Sequence, residues 1–337
     1  MIPPEDFALI DAALAPAWAR LDGARLFFAG GTGFIGRWML EALARAPIDM
    51  HVTVLSRDPD GFAARAPHLA ARVACVQGDV VAGFDWPEGP FTHVIHGATD
   101  ASAALTANEP VRMFDTILTG TRTLLELARA HNARFVFMSS GAVYGRQPSW
   151  LAGVDEDWTG GPDPRDPLSA YAEGKRAAET LCAAYARQYG LDVVTTRIFA
   201  LLGPLLPLGT HFAAGNFIRD AIAGQPIRVQ SSGEAVRSYL YAADLAVWMW
   251  RLVIDAAPAA AYNVGSHQGV TIAALAKRIG RMLGAPRVEI LGRQDAGWNP
   301  GRYVPANHRI CTDLGVRVSV RLDAAIRRTA AANGWTP

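Results

Sequence analysis

Tyr171 and Lys175, four residues apart in "YAEGKRAAETL", are the pair in this sequence best equipped to move a proton. In a helix that spacing stacks both side chains on one face. An ammonium beside a phenol favours the phenolate and lowers the phenol pKa from about 10, so the tyrosine can act as acid or base near neutrality. Upstream, the apolar run of "FVFMSSGAVYG" ends in two hydroxyls, Ser139 and Ser140. A serine at such a tip can hold the substrate oxygen whose proton is moving. Ser140, Tyr171 and Lys175 together make a hydride-transfer site, provided that a nicotinamide lies beside them.

The sequence offers a place for that cofactor. "GGTGFIG" sets Gly30, Gly33 and Gly36 three residues apart, directly after the apolar run Leu26 to Ala29. It opens a helical pattern whose apolar face is Trp38, Met39, Leu40 and Leu43. Glycines permit the tight turn and let the backbone approach a pyrophosphate, whose charge a helix N-terminus stabilises. Thr32, Phe34 and Ile35 complete the loop. NAD sites normally carry an acid at the end of the second strand, for the ribose 2′-hydroxyl. Here "VLSRD" puts Ser56 and Arg57 in that place, and a hydroxyl plus a guanidinium suit a 2′-phosphate. The expectation is NAD(P), leaning to NADP, with Asp58 as the NAD alternative one residue later. "GDV" brings Asp79 and Val80 to the adenine edge, and "HGA" brings Gly97 and Ala98 to the loop.

These residues need a scaffold. Apolar runs at 26–29, 51–57, 72–80, 92–98, 134–140 and 192–199 alternate with helical patterns, the clearest at 113–131. Strands that are apolar throughout and alternate with helices indicate a parallel sheet covered on both faces. After residue 200 the elements shorten and Pro and Gly punctuate them, and a helix near 242–256 returns to the sheet. The predicted fold is α/β, a doubly wound parallel (Rossmann) sheet with a smaller C-terminal substrate lobe interleaved in sequence. The sheet domain takes 1–200 plus about 236–260, with a helical extension at 1–22; the lobe takes about 201–235 plus 261–337. At 337 residues, half hydrophobic and with a net charge of +1, the chain has no charge block that calls for nucleic acid or a membrane surface. Cys75, Cys182 and Cys311 lie far apart without a His cluster, which argues against a zinc site or a disulfide framework and fits a reducing, cytoplasmic setting. The start "MIPPEDFALIDAAL" is wrong for a secretory signal, and no apolar run reaches the length of a membrane span.

The motifs "GGTGFIG", "GDV", "HGA", "SSGAVYG", "YAEGK" and "VRSYLYAADLA", spread over residues 30 to 246, resemble those of an extended short-chain dehydrogenase/reductase of the NAD(P)-dependent epimerase/dehydratase family. That resemblance implies a nucleotide-sugar substrate, with Tyr171 as acid/base and Lys175 orienting the nicotinamide ribose. Ser140 would hold the reacting hydroxyl or ketone, and Arg237 would grip the substrate diphosphate, as a bidentate guanidinium can. Asn216 falls where nucleotide contacts begin; a helix cap is its alternative role.

Three departures narrow the chemistry. Family dehydratases carry an acid pair just after the serine, and this chain has Gly141 and Ala142 there. Ala200 and Ile117 stand where many members have asparagine. The expectation is therefore a 4-epimerase or 4-ketoreductase, with dehydratase and decarboxylase chemistry disfavoured and the NADP lean tilting towards reduction. Retention of Tyr171 and Lys175 argues against a regulatory module that binds cofactor without catalysis. Helices 113–131 and 171–189 suit a homodimer interface if their outer faces prove apolar. Smaller expectations are that Asp155, Glu156 and Asp157 cap or solvate a loop beside the substrate, and that His96 is structural. His211 is a candidate substrate contact, Trp248 and Trp250 belong to core or interface, and Arg302 or Arg309 reaches a phosphate.

Overall fold

The computed structural model describes residues 2–99, 103–209, 212–293 and 301–336. Six strands, β1 (Arg25–Ala29), β2 (His51–Ser56), β3 (Ala74–Gln77), β4 (His93–His96), β5 (Arg134–Ser140) and β6 (Val193–Ile198), join the strand Ala261–Val264 in one sheet. Across the sheet they run Ala261–Val264, β6, β5, β4, β1, β2, β3, every pair parallel. Successive side chains of a strand point to opposite faces. Leu26 and Phe28 accordingly join one buried cluster, with Val54, Ile95 and Val136, while Phe27 and Ala29 join another, with Val94, Phe135 and Phe137. Both faces being covered explains why these strands read as unbroken apolar runs.

Strand order reverses between β1 and β4, and ligands of such sheets bind in the crevice at the carboxyl ends beside that point. Helix α1 (Pro4–Leu14) and helix α2 (Phe34–Leu43) pack with the helix Ala242–Asp255 on one face. The helices Pro110–His131 and Ala170–Tyr189 cover the other. Trp248 and Trp250 are fully buried, so both are core residues, and their indole nitrogens donate to the Arg317 and Met39 carbonyls.

The rest of the chain after β6 adds the helices Ala213–Ile222, Ile272–Leu283, His308–Leu314 and Leu322–Ala332, with short strand pairs between them. One expectation is corrected here. Residues 261–264 pair with β6 as the edge of the main sheet instead of belonging to the lobe, because Tyr262, Asn263 and Val264 are buried there and add an apolar strand to the core. Exposed positions on the two long helices mix charged, polar and small residues, including Arg112, Asp115, Arg122, Arg129, Ala183 and Arg187, with the apolar Val111 and Tyr189. No described helix is long and apolar enough to cross a membrane.

Candidate active site

At the end of β1 the chain turns through Gly30, whose φ of +96° is open to glycine and costly for other residues. A Cβ at Gly30 would lie 2.5 Å from the Gly97 carbonyl carbon, so the loops after β1 and β4 touch only because this position is bare. Gly33 is the N-cap of α2, and no side chain caps that helix end, which leaves its first amides for an anion. Thr32, Phe34 and Ile35 are each partly accessible in the same turn. Gly97 donates its N–H to the Ala29 carbonyl at 2.7 Å, and Ala98 follows it. This cradle suits a dinucleotide pyrophosphate.

A cavity of about 820 Å³ is lined by Arg57, Asp79, Asn108, Arg112 and Asp115 among others. Asp79 accepts N–H bonds from Val81 and Ala82, which fixes its carboxylate at the cavity wall, and buried Val80 seats the turn against Gly120. Ser56 accepts the Asp58 N–H at 3.1 Å. Asp58 itself caps the helix Pro59–Arg65 by accepting from Gly61 N at 2.9 Å, and pairs with Arg65. Asp58 is thus employed locally, while Arg57 lines the cavity.

Ser140 ends β5, and its hydroxyl caps the following turn by accepting the Ala142 N–H at 3.2 Å. Tyr171 and Lys175 lie in the helix Ala170–Tyr189, whose first turns run past that strand end. Burial raises the Tyr171 phenol above its ordinary pKa, and the Ser140 hydroxyl on it works the other way. The Lys175 ammonium is held by the Met138 carbonyl at 2.8 Å and Thr99 Oγ1 at 3.0 Å. Burial pulls Lys175 down to about 7, against the pull of Glu179 and Cys182. His96 beneath it bonds Thr121 at 3.1 Å and is kept neutral by burial and by Lys175, in line with a structural role.

A second phenol enters this cluster from far along the chain. The strand Arg302–Tyr303 pairs with Val236–Arg237, placing Tyr303 opposite Arg237. Tyr303 Oη stands 3.4 Å from Ser140 Oγ, and its ring packs on Phe199 with centroids 4.6 Å apart. Nothing in the local sequence around Tyr303 marks it; only long-range pairing brings it here. Arg237 is buried enough to have its pKa lowered, opposed by Tyr239 and Tyr303, and donates to the Val236 carbonyl. Asn216 stands in the first turn of Ala213–Ile222 and accepts from Arg219 at 3.3 Å; it is not that helix's cap, and no described hydrogen bond ties it to the Ser140 cluster.

The place of the missing acids is now concrete. A Cβ at Gly141 would meet the Phe199 ring at 2.6 Å, so no carboxylate side chain fits there without moving that ring. Ala142 is partly accessible and carries nothing that ionises.

The chain belongs to the NAD dependent epimerase/dehydratase family. The family model matches residues 26–265. Over 311 residues the chain is 30% identical to UDP-glucuronic acid decarboxylase 1 of Xenopus tropicalis, covering 91% of this chain and 72% of that protein. It is similar to a Thermus thermophilus UDP-glucose 4-epimerase solved with NAD, at 26% identity and a TM-score of 0.74, covering 92% of this chain and 99% of the other. It also shares its fold with RMD from Pseudomonas aeruginosa, solved with NADPH, at 24% identity and a TM-score of 0.74 over 92% of this chain and 98% of that one.

Within the family frame, several smaller expectations change. Glu156 is not a solvated loop acid: it is buried, accepts the Asn263 N–H at 2.8 Å and faces Arg309. Asp157 pairs with Arg309 at 2.7 Å. Arg302 donates its Nε to the Ala152 carbonyl. His211 lies outside the described residues. Among the described residues no group of His, Cys, Asp and Glu could hold a metal ion, and the three cysteines are free.

Proposed function

We propose that this chain is an NAD(P)-dependent enzyme that oxidises or reduces C4 of a nucleotide-linked sugar, as a 4-epimerase or 4-ketoreductase. The observation that carries this reading is the Ser140–Tyr171–Lys175 cluster at the sheet edge, with Gly141 and Ala142 in place of acids. The loop from Gly30 to Gly36, with Gly97 and Ala98, holds the dinucleotide, and Asp79 and Val80 hold its adenine end. Lys175 orients the nicotinamide ribose. When bound, the nicotinamide supplies or accepts the hydride. Ser140 holds the sugar oxygen, and Tyr171 takes its proton on oxidation or returns one on reduction. Arg237 neutralises the substrate diphosphate and Asn216 stands on the nucleotide side.

NADP is the better fit for the adenosine pocket, because Asp58 is committed to capping a helix whereas Arg57 lines the cavity. That favours the ketoreductase. The decarboxylase relative supports a second reading. Oxidation at C4 of a uronic acid places a ketone β to the carboxylate, and carbon dioxide can then leave with its electrons passing to the enolate. That step needs no base at 141 or 142, so the missing acids count more heavily against water elimination than against decarboxylation.

Mass spectrometry of the nucleotides released by denaturing the purified protein tests the assignment. The expected result is NADP together with a nucleotide sugar. Bound NAD would reverse the cofactor preference, and a nucleotide uronic acid would favour the second reading.

A further inference from the structure

Arg37 stands at the end of the first turn of α2, where its N–H donates to the Gly33 carbonyl at 2.8 Å. Its side chain is half-buried. The Nε is shut off from water without a hydrogen-bond partner, and among the described residues no carboxylate pairs with the guanidinium. Buried donors are normally met. The acceptor for this one would come from a ligand.

The packing of α2 shows which way Arg37 faces. Residues four apart share a helix face, and one turn further on Glu41 Oε1 meets His68 Nε2 of the short helix Pro67–Ala70 at 2.9 Å. Arg37 and Glu41 therefore look towards the segment that follows β2. The strands β1 and β2 pair with Ala29 beside Leu55, so the chain leaves both at one level. A Cβ at Gly31 would stand 3.1 Å from the Val54 side chain, which sets the turn into α2 directly against β2. Arg37 thus borders the tip of β2, and Arg57 belongs to that tip.

The acids near that tip are already committed. Asp58 caps a helix and pairs with Arg65, and Glu41 faces His68. Arg57 is exposed and, like Arg37, has no acid partner among the described residues. We infer that Arg37 is a second determinant of cofactor choice, forming with Arg57 a two-arginine clamp on the ribose 2′-phosphate of NADP. This rests on the reading of NADP as the cofactor. A phosphate monoester carries about 1.5 to 2 negative charges at pH 7. Two guanidinium groups match that charge, where one alone leaves part of it unmet. NAD presents a hydroxyl in the same place and offers the second arginine nothing. The pyrophosphate is served by the glycine turn and the first amides of α2, so Arg37 adds discrimination and not general affinity for dinucleotides.

Calorimetric titration of the purified protein with NADP and with NAD tests the clamp without any sugar or turnover. Arg37→Met keeps an unbranched stem on the helix and removes the guanidinium. It is expected to weaken NADP binding about tenfold, the worth of one hydrogen bond to a charged group, and to leave NAD binding unchanged. Arg57→Ala is expected to do the same, and the double variant to bind both dinucleotides alike. Arg37→Lys keeps the charge and should recover only part of the loss, since an ammonium lacks the fork. An equal loss of NADP and NAD affinity in Arg37→Met would overturn the proposal, because it would assign Arg37 to the pyrophosphate or to the fold. Unchanged NADP affinity in that variant would overturn it too. Failure of the cofactor reading itself shows elsewhere: the unaltered protein would bind NAD more tightly than NADP.

Discussion

Ser139 and Ser140 are neighbours with separate tasks. Alternation along β5 sends Ser139 to the Glu179 carboxylate at 2.6 Å, which Arg197 also grips, while Ser140 faces the Tyr303 hydroxyl at 3.4 Å. Sequence spacing alone pointed to Ser140, Tyr171 and Lys175 as candidates, because a strand tip and one helix face are local facts. The ammonium's partners, Thr99 and the Met138 carbonyl, were not legible there, because tertiary contacts set them. A lysine pulled down to about 7 when folded and near 10.4 when unfolded binds its proton more weakly in the native state. Its burial cost is fully present below about pH 7 and is relieved as pH rises towards the unfolded value. Native stability relative to Lys175→Met should therefore climb from about pH 7 upward. Urea midpoints of the two proteins across that range check this, and parallel curves would count against it.

At the scale of elements, the alternation of apolar runs and helices was legible because each strand is covered on both faces. The N-terminal extension was visible only as a helix, and its role comes from partners more than 200 residues away. Asp6 is buried, accepting from Tyr241 Oη at 2.5 Å and pairing with Arg328. Trp18 packs edge-on against Trp250 with ring centroids 5.1 Å apart. These contacts tie the first 20 residues to the helix Ala242–Asp255 and to the C-terminal helix. Trp18→Ala should cost about 3–5 kcal/mol, the usual range for an emptied aromatic site. Denaturant unfolding measures it, and a loss below about 0.5 kcal/mol would mean that the extension is a surface appendage.

At the scale of the whole molecule, the site is closed by segments that no local pattern joins. The stretch 302–305 lies against the loop after Tyr144, with Val154 donating to the Val304 carbonyl and Val304 to the Gln147 side chain. That docking brings Tyr303 to the end of β5 from a distant part of the chain, and it explains why a sequence reading stopped short of it. Tyr303 there packs on Phe199, whose ring stands where an acid at 141 would have to go. The central claim is that this site moves a hydride and a proton without expelling water. The most direct test is the mass of the product formed from nucleotide sugars supplied with NADP or NADPH. The account predicts a product equal in mass to its substrate, or differing by two hydrogens, and none from Tyr171→Phe. A product lighter by one water would contradict it.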